Sequence, residues 1–192
     1  MVAPPTIGAV SAPSTDPTTL ARVLAVLRQA GSLEEPNEEI AGLTILDHGL
    51  QCAALLRRAH PDDPELQVAG LLHDLGHVLE PGCEDVHGVV AAEFVRPVFG
   101  DRVAGLIEGH VPAKRYLVAT DRSYRGQLSE GSLRTLLLQG EAMTPEEASE
   151  FRSSAYAEDS VRLRRADEGA KVAGAQVPGL ETWAATLDLV AG

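Results

Sequence analysis

Five of the six histidines, His48, His73, His77, His87 and His110, lie in or beside apolar helical stretches. A titratable ring is costly there unless something pairs with it. Taken singly, each would ordinarily be a hydrogen-bonded core or surface residue, but His73 is followed directly by Asp74. Neighbouring residues on a helix project about 100° apart. An adjacent His-Asp pair can therefore hold one ion between its side chains while the second carboxylate oxygen reaches a neighbouring ion. His48 upstream and Asp167 far downstream could complete the first ion's shell. Imidazoles and carboxylates without thiolates suit Fe, Mn, Co or Zn better than copper(I) or an iron-sulfur cluster.

Cationic groups accompany these donors. Lys114 follows His110 by four residues, Arg164 precedes Asp167 by three, and His77 follows His73 by four. At helical spacing each shares a face with a candidate ligand. The chain has 28 acidic against 16 basic side chains and a formal net charge of -12, so such a focus is not what its surface would supply by chance. A dianion would neutralise it through charge-assisted hydrogen bonds. The same acidic balance argues against a nucleic-acid partner, whose backbone needs a Lys/Arg surplus. No stretch approaches the roughly 18 apolar residues of a membrane span. Cys52 and Cys83 are too few for a disulfide framework and match no zinc spacing, so both are expected to be reduced core thiols. His60, before Pro61, reads as a solvent-facing residue capping a helix end.

The elements that must position these residues are helices. Leu20, Val23, Leu24 and Leu27 form one apolar stripe that Gly31 can end. The acidic stretch Glu34 to Glu39, interrupted by Pro36, reads as a loop, and a second helix is expected over 44–59. A third begins at Asp63-Pro64, a cap followed by proline in the first turn, and should carry LLHDLGHVL as far as Pro81-Gly82. Further helices are expected near 85–96, 101–119, 130–139, 145–153, 156–173 and 180–190, with a capping box at Thr144 to Glu147. Period-two alternation and hairpin turns are nearly absent, so the fold class is all-α, a single helical domain over 19–192. Residues 1–18, rich in Pro, Ser and Thr, read as a flexible tail without the basic and apolar regions of a secretory signal, and a cytoplasmic location is expected.

In its order His48, His73-Asp74, Asp167 the chain resembles the HD-domain superfamily of metal-dependent helical proteins. His87 and His110 stand where dinuclear members carry two further histidines. The segments TILDHGLQCA, AGLLHDLGH, HGVVAAEFV, EGHVPAKRYL and LRRADEGAK are most similar to the mixed-valent di-iron oxygenases, the group of myo-inositol oxygenase and the phosphonate-cleaving oxygenases. The likeness spans roughly residues 40 to 175 and is greatest to the phosphonate branch.

That resemblance implies one iron held by His48, His73, Asp74 and Asp167 and a second by His87 and His110, with Asp74 bridging. The second iron would keep open positions for substrate, as catalytic metals do. It further implies an Fe(II)/Fe(III) pair with O2 as co-substrate, and a phosphonate pocket at His77, Lys114, Ser132, Thr135 and Arg164, with Lys171 as a further neighbour. The expected reaction is oxidative C-P cleavage of a small organophosphonate, a 1-hydroxyphosphonate with or without an amine, giving phosphate and a carboxylic acid. Because the substrate supplies the electrons, no nicotinamide, flavin or oxoglutarate is needed, and neither G-x-G-x-x-G nor a P-loop is present. The alternative is a metal-dependent phosphohydrolase, the commoner activity of the wider superfamily. One departure concerns the amine gate. The amino-phosphonate enzymes use a Tyr and a Glu ten and seven residues before the first His, where this chain has Glu38 and Ala41. Glu38 or Glu39 could still face a cationic substrate.

Overall fold

The structure is a computed structural model that describes residues 18–38 and 40–191. All but the last residue of the expected tail, and Glu39, lie outside the described residues. The described chain is helical throughout: α1 Leu20–Ala30, α2 Ile45–Ala59, α3 Pro64–Leu72, α4 Leu75–Leu79, α5 His87–Thr120, a 3-10 turn Tyr124–Gln127, α6 Glu130–Leu138, α7 Pro145–Ser153, α8 Ala157–Gly169 and α9 Leu180–Val190. Its only β-pairing is an isolated antiparallel bridge between Glu34 and Thr44. No helix among the described residues is long and apolar enough to cross a membrane.

Local chemistry sets the boundaries. Thr44 and Thr144 open α2 and α7 with reciprocal capping boxes, and Asp63 caps α3 ahead of Pro64. The expectation of one helix from Asp63 to Glu80 is corrected: the chain leaves α3 at His73 and Asp74 and re-enters as α4. Asp74, at the start of α4, makes no capping bond with its side chain; the carboxylate is turned inward instead. The segments expected at 85–96 and 101–119 abut as one element, kinked at Gly100, whose φ of 78° is left-handed. The last expected helix before α9 ends at Gly169 rather than 173, leaving Lys171 off its end.

Helices α2, α3, α5 and α8 form the centre of the bundle, around Leu56, Leu66, Leu72, Leu106, Ile107 and Leu163. Trp183 of α9 is fully buried, with the Arg57 guanidinium 3.6 Å from its ring centroid. Cys52 and Cys83 are buried free thiols. His60 stands at the C-cap of α2, as expected, but is half-buried rather than solvent-facing. Two glycines bring the site-bearing backbones together. A Cβ on Gly49 would lie 2.6 Å from the Leu71 carbonyl oxygen, and one on Gly76 2.1 Å from that of His87. The first approach seats α2 on α3, and the second seats α4 on the start of α5.

Candidate metal centre and anion pocket

His48 comes from α2, His73 and Asp74 from the break between α3 and α4, His87 and His110 from the two halves of α5, and Asp167 from α8. All six are buried. Each imidazole is oriented by a backbone carbonyl: His48 Nδ1 lies 3.1 Å from Ala170 O, His73 Nδ1 2.9 Å from Gly70 O, His87 Nδ1 2.9 Å from Glu84 O and His110 Nδ1 2.5 Å from Ile107 O. A carbonyl only accepts, so Nδ1 carries a proton in every case and Nε2 is the nitrogen left to bind a cation. The Nε2 atoms face one another. His48 and His73 approach to 3.2 Å through their Nε2 atoms, and His87 and His110 to 2.9 Å. Two acceptors at such a distance do not bond each other, but two donors bound at right angles to one ion at about 2.1 Å are about 3.0 Å apart.

Asp74 divides its oxygens between these pairs. Oδ2 is 3.3 Å from His48 Nε2 and 3.2 Å from His73 Nε2, while Oδ1 is 3.4 Å from His87 Nε2 and 3.8 Å from His110 Nε2. Asp167 Oδ1 faces only the first pair, at 3.2 Å and 3.8 Å. The donors fit two cations sharing one carboxylate. Electrostatics separates the halves. Burial lowers His48 and His73, but Asp74 and Asp167 overcome it, leaving His48 well above its ordinary value and His73 at about 9. Burial prevails at the other pair, taking His87 down to about 4 and His110 well below the usual range. Burial raises both aspartates, yet their partners win: His73 above all holds Asp74, and Arg164 holds Asp167, well below the carboxylate range.

The expected anion-binding residues His77, Lys114, Ser132, Thr135 and Arg164 all line the cavity above these donors, together with Lys171. Arg164, 4% exposed, pairs with Asp167 and Glu168 and also donates to Tyr124 OH at 2.9 Å and to Ser132 Oγ at 3.0 Å. Lys114 donates to Thr135 Oγ1 at 2.8 Å, and burial, then the Arg164 charge, pushes it down to about 7. Lys171 reaches Ser132 Oγ at 2.7 Å, Ser129 Oγ at 3.0 Å and Glu38 Oε1 at 2.7 Å. Glu38 thus faces a resident cation rather than standing free for a substrate amine. His77 stacks on His87 with centroids 4.3 Å apart and borders both regions; burial lowers its pKa.

Glu35, Gln139 and Glu168 were not legible as site residues. Gln139 and Glu35 line the cavity, and Glu168 ties Arg164, Lys171 and Ser132 together. Glu168 carried a usable signal, its i+4 spacing from Arg164; Glu35, in an acidic loop, carried none.

A helical bundle that closes imidazoles and carboxylates from four elements around buried donor clusters defines a metal-using helical protein. The HD domain model matches residues 45–148, and the chain belongs to the HD-domain family. Its relatives include the hydroxymethylphosphonate dioxygenase of Gimesia maris, 39% identical over 73% of this chain and 74% of that protein. The [1-hydroxy-2-(trimethylamino)ethyl]phosphonate dioxygenase (glycine-betaine-forming) of Leisingera caerulea is 32% identical over 74% and 77% respectively. The uncharacterized protein L432 of Acanthamoeba polyphaga mimivirus is also 32% identical, over 72% of this chain and 67% of its own. Asp167 and Arg164 lie beyond the matched domain segment.

Proposed function

We propose that this chain is a di-iron oxygenase that uses O2 to cleave the C-P bond of a small 1-hydroxyphosphonate, of which hydroxymethylphosphonate is the simplest. The observation that carries this reading is Asp74, whose two oxygens each face one imidazole pair beneath a cavity walled by Lys114, Arg164 and Lys171. One ion would be held by His48, His73, Asp74 and Asp167, the other by His87, His110 and Asp74. When bound, iron would supply the oxygen activation and single-electron chemistry that these side chains lack.

The chain's own residues do the rest. Lys114, Arg164 and Lys171, with His77 and the hydroxyls of Ser132 and Thr135, bind the phosphonate oxygens and fix the carbon end over the metal cradle. Arg164 also holds Asp167, so anion binding and ligand orientation share one guanidinium. With hydroxymethylphosphonate the products are formate and phosphate, balanced as substrate dianion plus O2 giving formate, hydrogen phosphate and a proton.

Two features favour an amine-free substrate. Among the described residues the cavity is lined by no Phe, Tyr or Trp ring, and such rings are what hold a trimethylammonium group. The carboxylate at the gate position, Glu38, is paired with Lys171. The test is phosphate release from hydroxymethylphosphonate by iron-loaded protein under air and under argon. Release only in air supports the oxygenase. Equal release under argon, or fast hydrolysis of nucleotide monophosphates with manganese, assigns the chain to the phosphohydrolases instead.

A further inference from the structure

Glu35 has no part in the assignments above, yet its side chain enters the same cavity. It is 7% exposed, and its Oε2 is buried with no hydrogen-bond partner among the described residues. Leaving such an oxygen unmatched is unfavourable, and the backbone holds it in place. Glu35 N-H donates to Leu43 O at 2.9 Å, Ile45 N-H donates to Leu33 O at 3.0 Å, and the Glu34–Thr44 bridge lies between. The loop is therefore pinned at both ends, with the carboxyl directed inward just before α2 begins. The charged groups that act on it are Asp74, His48, Asp167 and His73. All four belong to the metal cradle, and three of them, His48, Asp74 and Asp167, line the same cavity as Glu35.

What can sit against this carboxyl is restricted. A phosphonate oxygen would be repelled by Glu35, Asp74 and Asp167 together and attracted to Lys114 and Arg164. A hydrogen-bond donor is required, and the hydroxymethylphosphonate dianion contains only one, the hydroxyl on C1. We propose that Glu35 is a substrate-binding residue that accepts the hydrogen bond of the C1 hydroxyl, selecting hydroxylated phosphonates over their unsubstituted counterparts. The inference rests on the phosphonate reading above and adds to it a second anchor, opposite the cations, that fixes which face of C1 meets the metal cradle.

The experiment is a double-mutant cycle in binding rather than turnover. Iron-loaded wild type, Glu35→Ala and Glu35→Gln are titrated calorimetrically without oxygen against hydroxymethylphosphonate and methylphosphonate, and iron is counted in each protein. Glu35→Ala should weaken hydroxymethylphosphonate about ten-fold or more, leave methylphosphonate and iron content unchanged, and be partly rescued by Glu35→Gln, whose amide oxygen still accepts. Equal weakening of both ligands, or of neither, overturns the proposal. Lost iron would overturn it too, by making Glu35 a metal-supporting residue. A larger effect on 1-hydroxy-2-(trimethylammonio)ethylphosphonate than on hydroxymethylphosphonate would make it an ammonium reader and likewise sink the idea. If the wild type binds no phosphonate at all, the functional reading fails and this inference with it, whereas binding without coupling removes the inference alone.

Discussion

Replacing Asp74 by Ala tests whether one carboxylate serves both donor clusters. Its oxygens stand 3.2–3.3 Å from the His48 and His73 nitrogens and 3.4–3.8 Å from those of His87 and His110. A four-ligand protein site for a divalent metal is worth about 10–16 kcal/mol, or about 2.5–4 kcal/mol per ligand if shared evenly. Losing one ligand should then weaken an ion by about two to three orders of magnitude. Asp74 contributes to both clusters, so Asp74→Ala should impose that loss on both ions at once. Asp167→Ala should weaken only the first ion and His110→Ala only the second. The assay is chelator competition with metal quantified by mass spectrometry, with helical circular dichroism confirming that each variant folds. An Asp74→Ala protein that keeps one ion at wild-type affinity would refute the shared-carboxylate geometry.

Other expectations follow from particular contacts. Gly76→Ala places a methyl group 2.1 Å from the His87 carbonyl oxygen; forcing α4 from α5 should cost about 1–3 kcal/mol in urea unfolding and weaken the His87 ion more than the His48 ion. Trp183→Ala should lower unfolding free energy by about 3–5 kcal/mol, because the ring is fully buried beneath Arg57, with little change in phosphonate KM. Lys114, held at about 7 by burial, should lose its proton as pH rises through neutrality, so phosphonate affinity should fall over that range and the fall should diminish in Lys114→Met. Stability should move the opposite way. The unfolded lysine keeps its proton to about pH 10.4, so between pH 7 and that value the unfolded state binds more protons and this residue's contribution to unfolding free energy rises. Chemical denaturation across that window, compared with Lys114→Met, checks the sign.

Much of the site was readable because its chemistry is unusual in type and spacing. Imidazoles on apolar helix faces, an adjacent His-Asp pair and cations one helical turn from candidate ligands are local facts, and local periodicity was enough to place α1, α2, α6, α7 and α9 to within a residue or two. Periodicity also overran its range: it carried one helix through His73-Asp74, because helix propensity and apolar spacing say nothing of a break that turns a carboxylate inward. Close approach was equally invisible, since Gly49 and Gly76 read as ordinary glycines until the backbone opposite each is known. Side-chain pairing decided the remainder. From the chain alone Glu38 could face a substrate amine, whereas the folded protein sets Lys171 against it at 2.7 Å. Glu35 stood undistinguished among acidic neighbours until the Glu34–Thr44 bridge directed it inward. The helical class, and the imidazoles, carboxylates and cations proposed for metal and anion binding, could be read along the chain because they depend on residue identity and spacing. Which charges neutralise one another, and which buried oxygen is left without a partner, emerged only on folding, because those depend on distances between segments far apart in sequence.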